Sequence, residues 1–158
     1  MIHIIGFGNP FHGDDGFGPE VIRNLRDKQP PPEVSLFDGG ILGLDAVKLF
    51  ENCEEVIVVD AARGKTPGGV DWISTQAITG NDVALNLTTH GFGVGKLMEV
   101  LPIALKGKKI PKIRFLAGWV GEIKVFRDGL SETARSSVER AVDMILEDAV
   151  WQTSTPTP

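Results

Sequence analysis

Apolar residues in this chain fall into short unbroken runs, and between the runs they recur every three or four positions, as in a protein of alternating strands and helices. Ile2-His3-Ile4-Ile5 predicts a first strand that stops at Gly6. Residues 19–26 read as a helix with Val21, Ile22 and Leu25 inward and Asp14 or Asp15 as its cap. Residues 34–37 predict a second strand closing on Asp38-Gly39-Gly40, and 44–50 a helix with Leu44, Val47 and Phe50 on one face. Val56-Ile57-Val58-Val59 has no polar alternation, which is the pattern of a parallel strand covered on both faces; it is expected to end at Asp60. A strand over 70–74 follows the Pro67-Gly68-Gly69 turn.

From Gly91 a helix should carry Val94, Leu97, Met98 and Leu101 inward until Pro102 bends or stops it. Residues 113–117 predict a further strand, extended by 122–126, and Ser131 caps a last helix striped by Val138, Ala141, Val142, Ile145 and Leu146. The sum is an α/β fold: a three-layer α/β/α sandwich around a mostly parallel, five-stranded sheet. A single domain spans 1–150, and 151–158 read as a disordered tail. In such sheets ligands bind beyond the carboxyl ends of the strands, which is where the polar residues of interest lie.

Composition narrows the function. The 158 residues are the size of one domain, with 42% hydrophobic and 23% charged residues. A formal net charge of −5 argues against nucleic acid or anionic membranes as partners. Cys53 is the single cysteine, so no internal disulfide forms. The first ten residues lack the basic stretch of a signal peptide, and no apolar run reaches the roughly 20 residues of a membrane-spanning helix. The expectation is a cytoplasmic protein.

The glycine loop after the first strand invites a dinucleotide reading, and Asp38 falls where a ribose-binding acid would. The third glycine of that fingerprint is replaced by Phe11, however, and Asp14 and Asp15 put two negative charges where a pyrophosphate would sit. No nucleotide is expected. Asp14 reads as a simple cap; two adjacent acids exceed what one cap needs, which makes Asp15 a site candidate. Asp60, at the edge of the most apolar strand, is either a turn former or a second site acid, and the weak helical pattern of Ala61-Ala62-Arg63 favours the site. His90 precedes a glycine-rich helix start, where the dipole opposes imidazolium and leaves the neutral form that binds metal or accepts a proton. His3 reads as structural, and His12 as a loop residue that could support the site. Two carboxylates and an imidazole suit zinc or nickel. No GxSxG occurs, and Cys53 reads as packing, so a serine or cysteine nucleophile has no support.

Five motifs in order, Gly8-Asn9, Gly13-Asp14-Asp15-Gly16-Phe17-Gly18, Asp38-Gly39-Gly40, Val58-Val59-Asp60-Ala61 and Thr89-His90-Gly91, resemble the hydrogenase maturation endopeptidases. The resemblance covers roughly residues 2–146. It implies an endopeptidase that removes the C-terminal extension of a nickel–iron hydrogenase large-subunit precursor after nickel insertion, cutting after a basic residue. It also implies Asp15, Asp60 and His90 as metal ligands and Asp38 as a fourth site residue. The nickel would be the substrate's own, the partner the large-subunit precursor, and the enzyme a monomer. Glutamate is frequent in the family where this chain has Asp15. Its Gly-Ile-x-Pro after the fifth strand is here Ala117-Gly118-Trp119-Val120. The water-activating group stays open between Asp38 and Asp15. Two rival readings are a nickel-binding assembly chaperone that does not cut, and a cytosolic peptidase with a resident metal.

Overall fold

The computed structural model describes residues 1–75, 78, 86–87 and 94–152. Its strands are β1 (Ile2–Phe7), β2 (Val34–Gly40), β3 (Glu55–Arg63), β4 (Val70–Ile73), β5 (Asn86–Leu87) and β6 (Lys112–Trp119). Its α-helices are α1 (Phe17–Arg26), α2 (Val94–Ala104), α3 (Glu132–Leu146) and α4 (Ala149–Gln152), with 3₁₀ segments at Gly13–Gly16 and Gly43–Phe50.

Five strands form a continuous sheet in the order β2-β1-β3-β6-β4, and two-residue β5 adds to β3. β2, β1, β3 and β6 run parallel, while β4 lies antiparallel on β6. One face packs Ile4, Ile57, Val59 and Leu116 against α1 and α3; the other packs Ile5, Val56, Val58 and Phe115 against Phe50 and α2. Both cores are fully enclosed, which is why the central strands lack polar alternation. Helices on both faces give the expected three-layer sandwich.

The differences from the sequence reading are local. β3 does not end at Asp60 but runs to Arg63, because β6 and then β5 go on pairing with it. α1 starts at Phe17, and neither Asp14 nor Asp15 caps it: Gly16 is the N-cap, with no side-chain bond. The segment over 44–50 is 3₁₀, and it buries Ala46 and Phe50 while Leu44 points outward. Pro102 lies inside α2 and does not end it. Residues 122–126 are not a strand; they are loop, and the nearest pairing is a bridge between His12 and Arg127. Trp151 and Gln152, assigned to the tail, close α4, and Trp151 packs on the core. Ser131 caps α3 as expected, its hydroxyl accepting from the Ala134 amide at 3.2 Å.

Candidate active site

In the strand order β2-β1-β3, the chain leaves β1 for one neighbour and later reaches the other by crossing back over β1. α1 makes the first connection on one face and the Gly43–Phe50 segment the second on the opposite face. The crevice beyond the carboxyl ends of β1 and β3 is therefore the topological switch point, where open α/β sheets bind ligands. Asp15 follows β1, and Asp60 lies on β3.

Glycines bring the β1–α1 loop down onto these strand ends. Gly8 has φ +130°, and a Cβ there would stand 1.9 Å from the Asp15 carbonyl oxygen and 3.7 Å from its Oδ1. A Cβ on Gly18 would stand 2.3 Å from the Phe7 oxygen and 2.6 Å from the Val59 oxygen, so α1 starts in backbone contact with both strands. Asp15 is fully buried by this approach, and its Oδ2 accepts from the Asn9 amide at 2.9 Å. The Asn9 side chain in turn accepts from the Phe11 amide at 2.9 Å, which tightens the loop into an Asx-type turn.

Asp60 is also buried, at 2% exposure. β1 pairs with β3 as far as Val59, and β5 begins at Ala62. Asp60 and Ala61 thus lie between two ladders, in the stretch of β3 that faces the loop. The Asp60 Oδ1 accepts from the Ala61 amide at 2.9 Å. By strand alternation its side chain shares the face of Val58 and Ala62, the face that α2 covers.

Asp38 stands at the same edge, in register with Gly6 of β1, but it is exposed and shares the face of Leu36. Its Oδ1 accepts from the Gly40 amide at 2.9 Å. His90 lies outside the described residues; the described part of α2 begins at Val94, on the face that carries Asp60. Among the described residues no three His, Cys, Asp or Glu side chains gather into a metal-holding group. Two buried carboxylates are hard oxygen donors of the kind a divalent ion accepts.

Asp14 has a task that sequence reasoning missed. Its carboxylate accepts from the Ser131 amide at 2.7 Å and from the Ser131 hydroxyl at 2.8 Å, tying the loop to the start of α3, 117 positions away. The one legible sign was the surplus of acids beside Asp15. The Gly13 amide also donates to the Arg127 oxygen at 2.7 Å, so the loop over 121–130 buttresses the loop that carries Asp15. Between the two lies a cleft of about 280 Å³, lined by Gly13, Asp14, Trp119, Glu122, Lys124 and Arg127 among others. The Trp119 indole N–H donates to Asp71 at 2.7 Å, and this bond, with that from Lys65, holds the Asp71 carboxyl below the usual carboxylate range. His3 is structural, its Nδ1 2.8 Å from the Leu49 oxygen. Cys53 is buried just before β3, at the opposite edge of the sheet, where burial pushes its thiol up.

The family model for hydrogenase maturation proteases matches residues 19–148. The chain belongs to the hydrogenase maturation proteases. A Methanocaldococcus jannaschii protein placed by name in the same family is 30% identical, over 92% of this chain and 94% of its own length. The hydrogenase 2 maturation protease of Escherichia coli is 23% identical, over 92% of this chain and 88% of its own. Among solved structures, the maturating endopeptidase HybD of E. coli aligns with TM-score 0.74 at 20% identity, over 92% of this chain and 89% of that one. The HycI protease of Thermococcus kodakarensis aligns with TM-score 0.70 at 22% identity, over 96% and 92%. At these identities the structures establish the fold. This maturation protease is therefore a peptidase, and the switch-point crevice is its candidate active site.

Proposed function

We propose that this protease removes the C-terminal extension of a nickel–iron hydrogenase large-subunit precursor after nickel has been inserted, and that the substrate's nickel is what it recognises. The observation that carries this reading is the burial of Asp15 and Asp60 at one switch point. Two buried carboxylates brought to one crevice supply the hard oxygen donors that a divalent ion takes. His90, which the sequence puts at the start of the segment leading into α2, would complete the set with a neutral imidazole.

On this reading the three residues hold the nickel-loaded end of the precursor, and that contact sets the scissile bond in the crevice. An empty precursor lacks the anchor and is spared. Asp38, exposed on the neighbouring strand, presents its charge to the basic residue that precedes the cut. Attack on the peptide carbonyl needs a water whose proton is taken up as the tetrahedral intermediate forms, and Asp38 or Asp15 would accept it. The enzyme works as a monomer in the cytoplasm.

The test is intact mass spectrometry of the host's large-subunit precursors, with and without nickel, after incubation with the protease. Loss of a C-terminal peptide from the loaded precursor alone supports the proposal. Equal cutting of loaded and empty precursor defeats nickel recognition, and tight binding without a mass change defeats the processing step. His90→Ala should keep the fold and abolish nickel-dependent cutting; retained cutting removes His90 from the ligand set.

A further inference from the structure

Among the described residues, large exposed apolar side chains gather where the chain leaves the carboxyl ends of β1, β2 and β6: Phe11, Ile41, Leu42, Leu44, Val125 and Phe126. Phe126 is the extreme case. It is 93% exposed, and its φ is +56°, the left-handed region that a bulky side chain rarely adopts. An exposed phenyl ring contributes little to the folded state, and the left-handed backbone opposes it. Two unfavourable features at one residue mark a position kept for something other than stability.

The surroundings indicate what that is. The His12 ring packs edge-on against the Phe126 ring, centroids 5.8 Å apart at 73°. Phe11, 68% exposed, precedes His12. The same stretch is bonded to the loop of Asp15, through the His12–Arg127 bridge and the Gly13 amide on the Arg127 oxygen. An apolar knob therefore stands at the rim of the crevice, on a loop hydrogen-bonded to the segment that carries a candidate site acid. This protein is a peptidase, so whatever enters the crevice is a polypeptide, and its flanking residues must cross this rim.

We propose that Phe126, with the His12 ring packed against it, docks an apolar side chain of the substrate polypeptide as that chain enters the crevice. The occupant rests on the processing reading above, since it is the large-subunit precursor that the knob would grip. The contact involves none of the candidate site acids, so it acts on association rather than on the chemical step. Interface energy of this kind concentrates in a few aromatic anchors.

The experiment compares the wild type with Phe126→Asn, a residue that tolerates left-handed backbone, and with Phe126→Trp, which keeps an aromatic ring. Binding of nickel-loaded precursor is followed by biolayer interferometry and cutting by intact mass. The expected result for Phe126→Asn is binding weakened about tenfold or more, a matching rise in KM, unchanged kcat and a melting temperature held or raised. Phe126→Trp should restore binding to within about threefold of wild type. Precursor binding and KM within about twofold of wild type in Phe126→Asn overturn the proposal, as does a fall in kcat at constant KM. A concentration-dependent dimer that Phe126→Asn abolishes while precursor binding stays the same overturns it in favour of a second copy. If the wild type binds precursor without cutting, the processing reading fails, yet weaker binding by Phe126→Asn still supports docking. If the wild type neither binds nor cuts, both fall.

Discussion

The two edges of the sheet use charge in opposite ways. At the amino edge, Arg114 of β6 donates two bonds to Asp148 at 2.8 and 2.9 Å, a third to Glu55, and stacks 4.7 Å over the Trp72 ring. Lys112 adds a second cation 3.6 Å from Glu55. Each charge there meets an opposite one, with bidentate geometry between Arg114 and Asp148 that ties the turn before α4 to the sheet. At the carboxyl edge, Asp15 and Asp60 are buried more deeply, and each accepts a bond from a backbone amide, that of Asn9 and that of Ala61. Glycines press backbone on backbone around them, and exposed aromatic rings stand at the rim. The first edge is built to keep the fold together. The second is built to place carboxylates at a crevice.

Substitutions can break this comparison. The largest effect is expected at the carboxyl edge: Asp60→Asn should cut precursor processing by about a thousandfold. Its melting temperature should stay near that of the wild type, since the exchange keeps the side chain's volume and shape. A variant that keeps its activity, or that unfolds, would put Asp60 with the structural acids. Gly18→Ala comes next. Its Cβ would stand within 2.6 Å of two backbone oxygens that cannot step aside, so a loss of about 3–5 kcal/mol is expected in denaturant unfolding.

The amino edge should respond in the reverse sense. Arg114→Met should leave processing intact and lower stability by about 1–2 kcal/mol, because the partners are only partly buried. The smallest effect sharpens the contrast through pH. The Arg114 guanidinium holds the Asp148 carboxyl below its usual range. A depressed carboxyl contributes stability that is present above its unfolded pKa of about 3.9 and is lost as pH falls through the lower folded value. Unfolding free energy of the wild type should therefore fall more steeply below about pH 4 than that of Asp148→Asn. Parallel curves would show that the pair does not stabilise the fold.

Much of this was legible along the chain because it depends on local pattern. The unbroken run over 56–59, the helical stripe of α3 and the Ser131 cap each follow from residues a few positions apart. Asp15, Asp38 and Asp60 could be named for the same reason: each ends or follows an apolar run, and that places it at the carboxyl edge whatever the strand order.

What the chain alone determined, then, was most of the strands and helices, the apolar stripes the main ones bury and which acids their ends present, since periodicity and turn chemistry act over short range. Only the tertiary structure decided that β1 and β3 are neighbours, that β4 turns antiparallel on β6, and that the strand order puts the switch point between Asp15 and Asp60. It alone joined Asp14 to Ser131, made the stretch over 122–126 a buttressing loop rather than a strand, and stood Phe126 on the rim. Those outcomes come from contacts between segments up to 117 positions apart. Their energies depend on which backbones approach closely, and glycines at 8 and 18 permit that approach without announcing its partner.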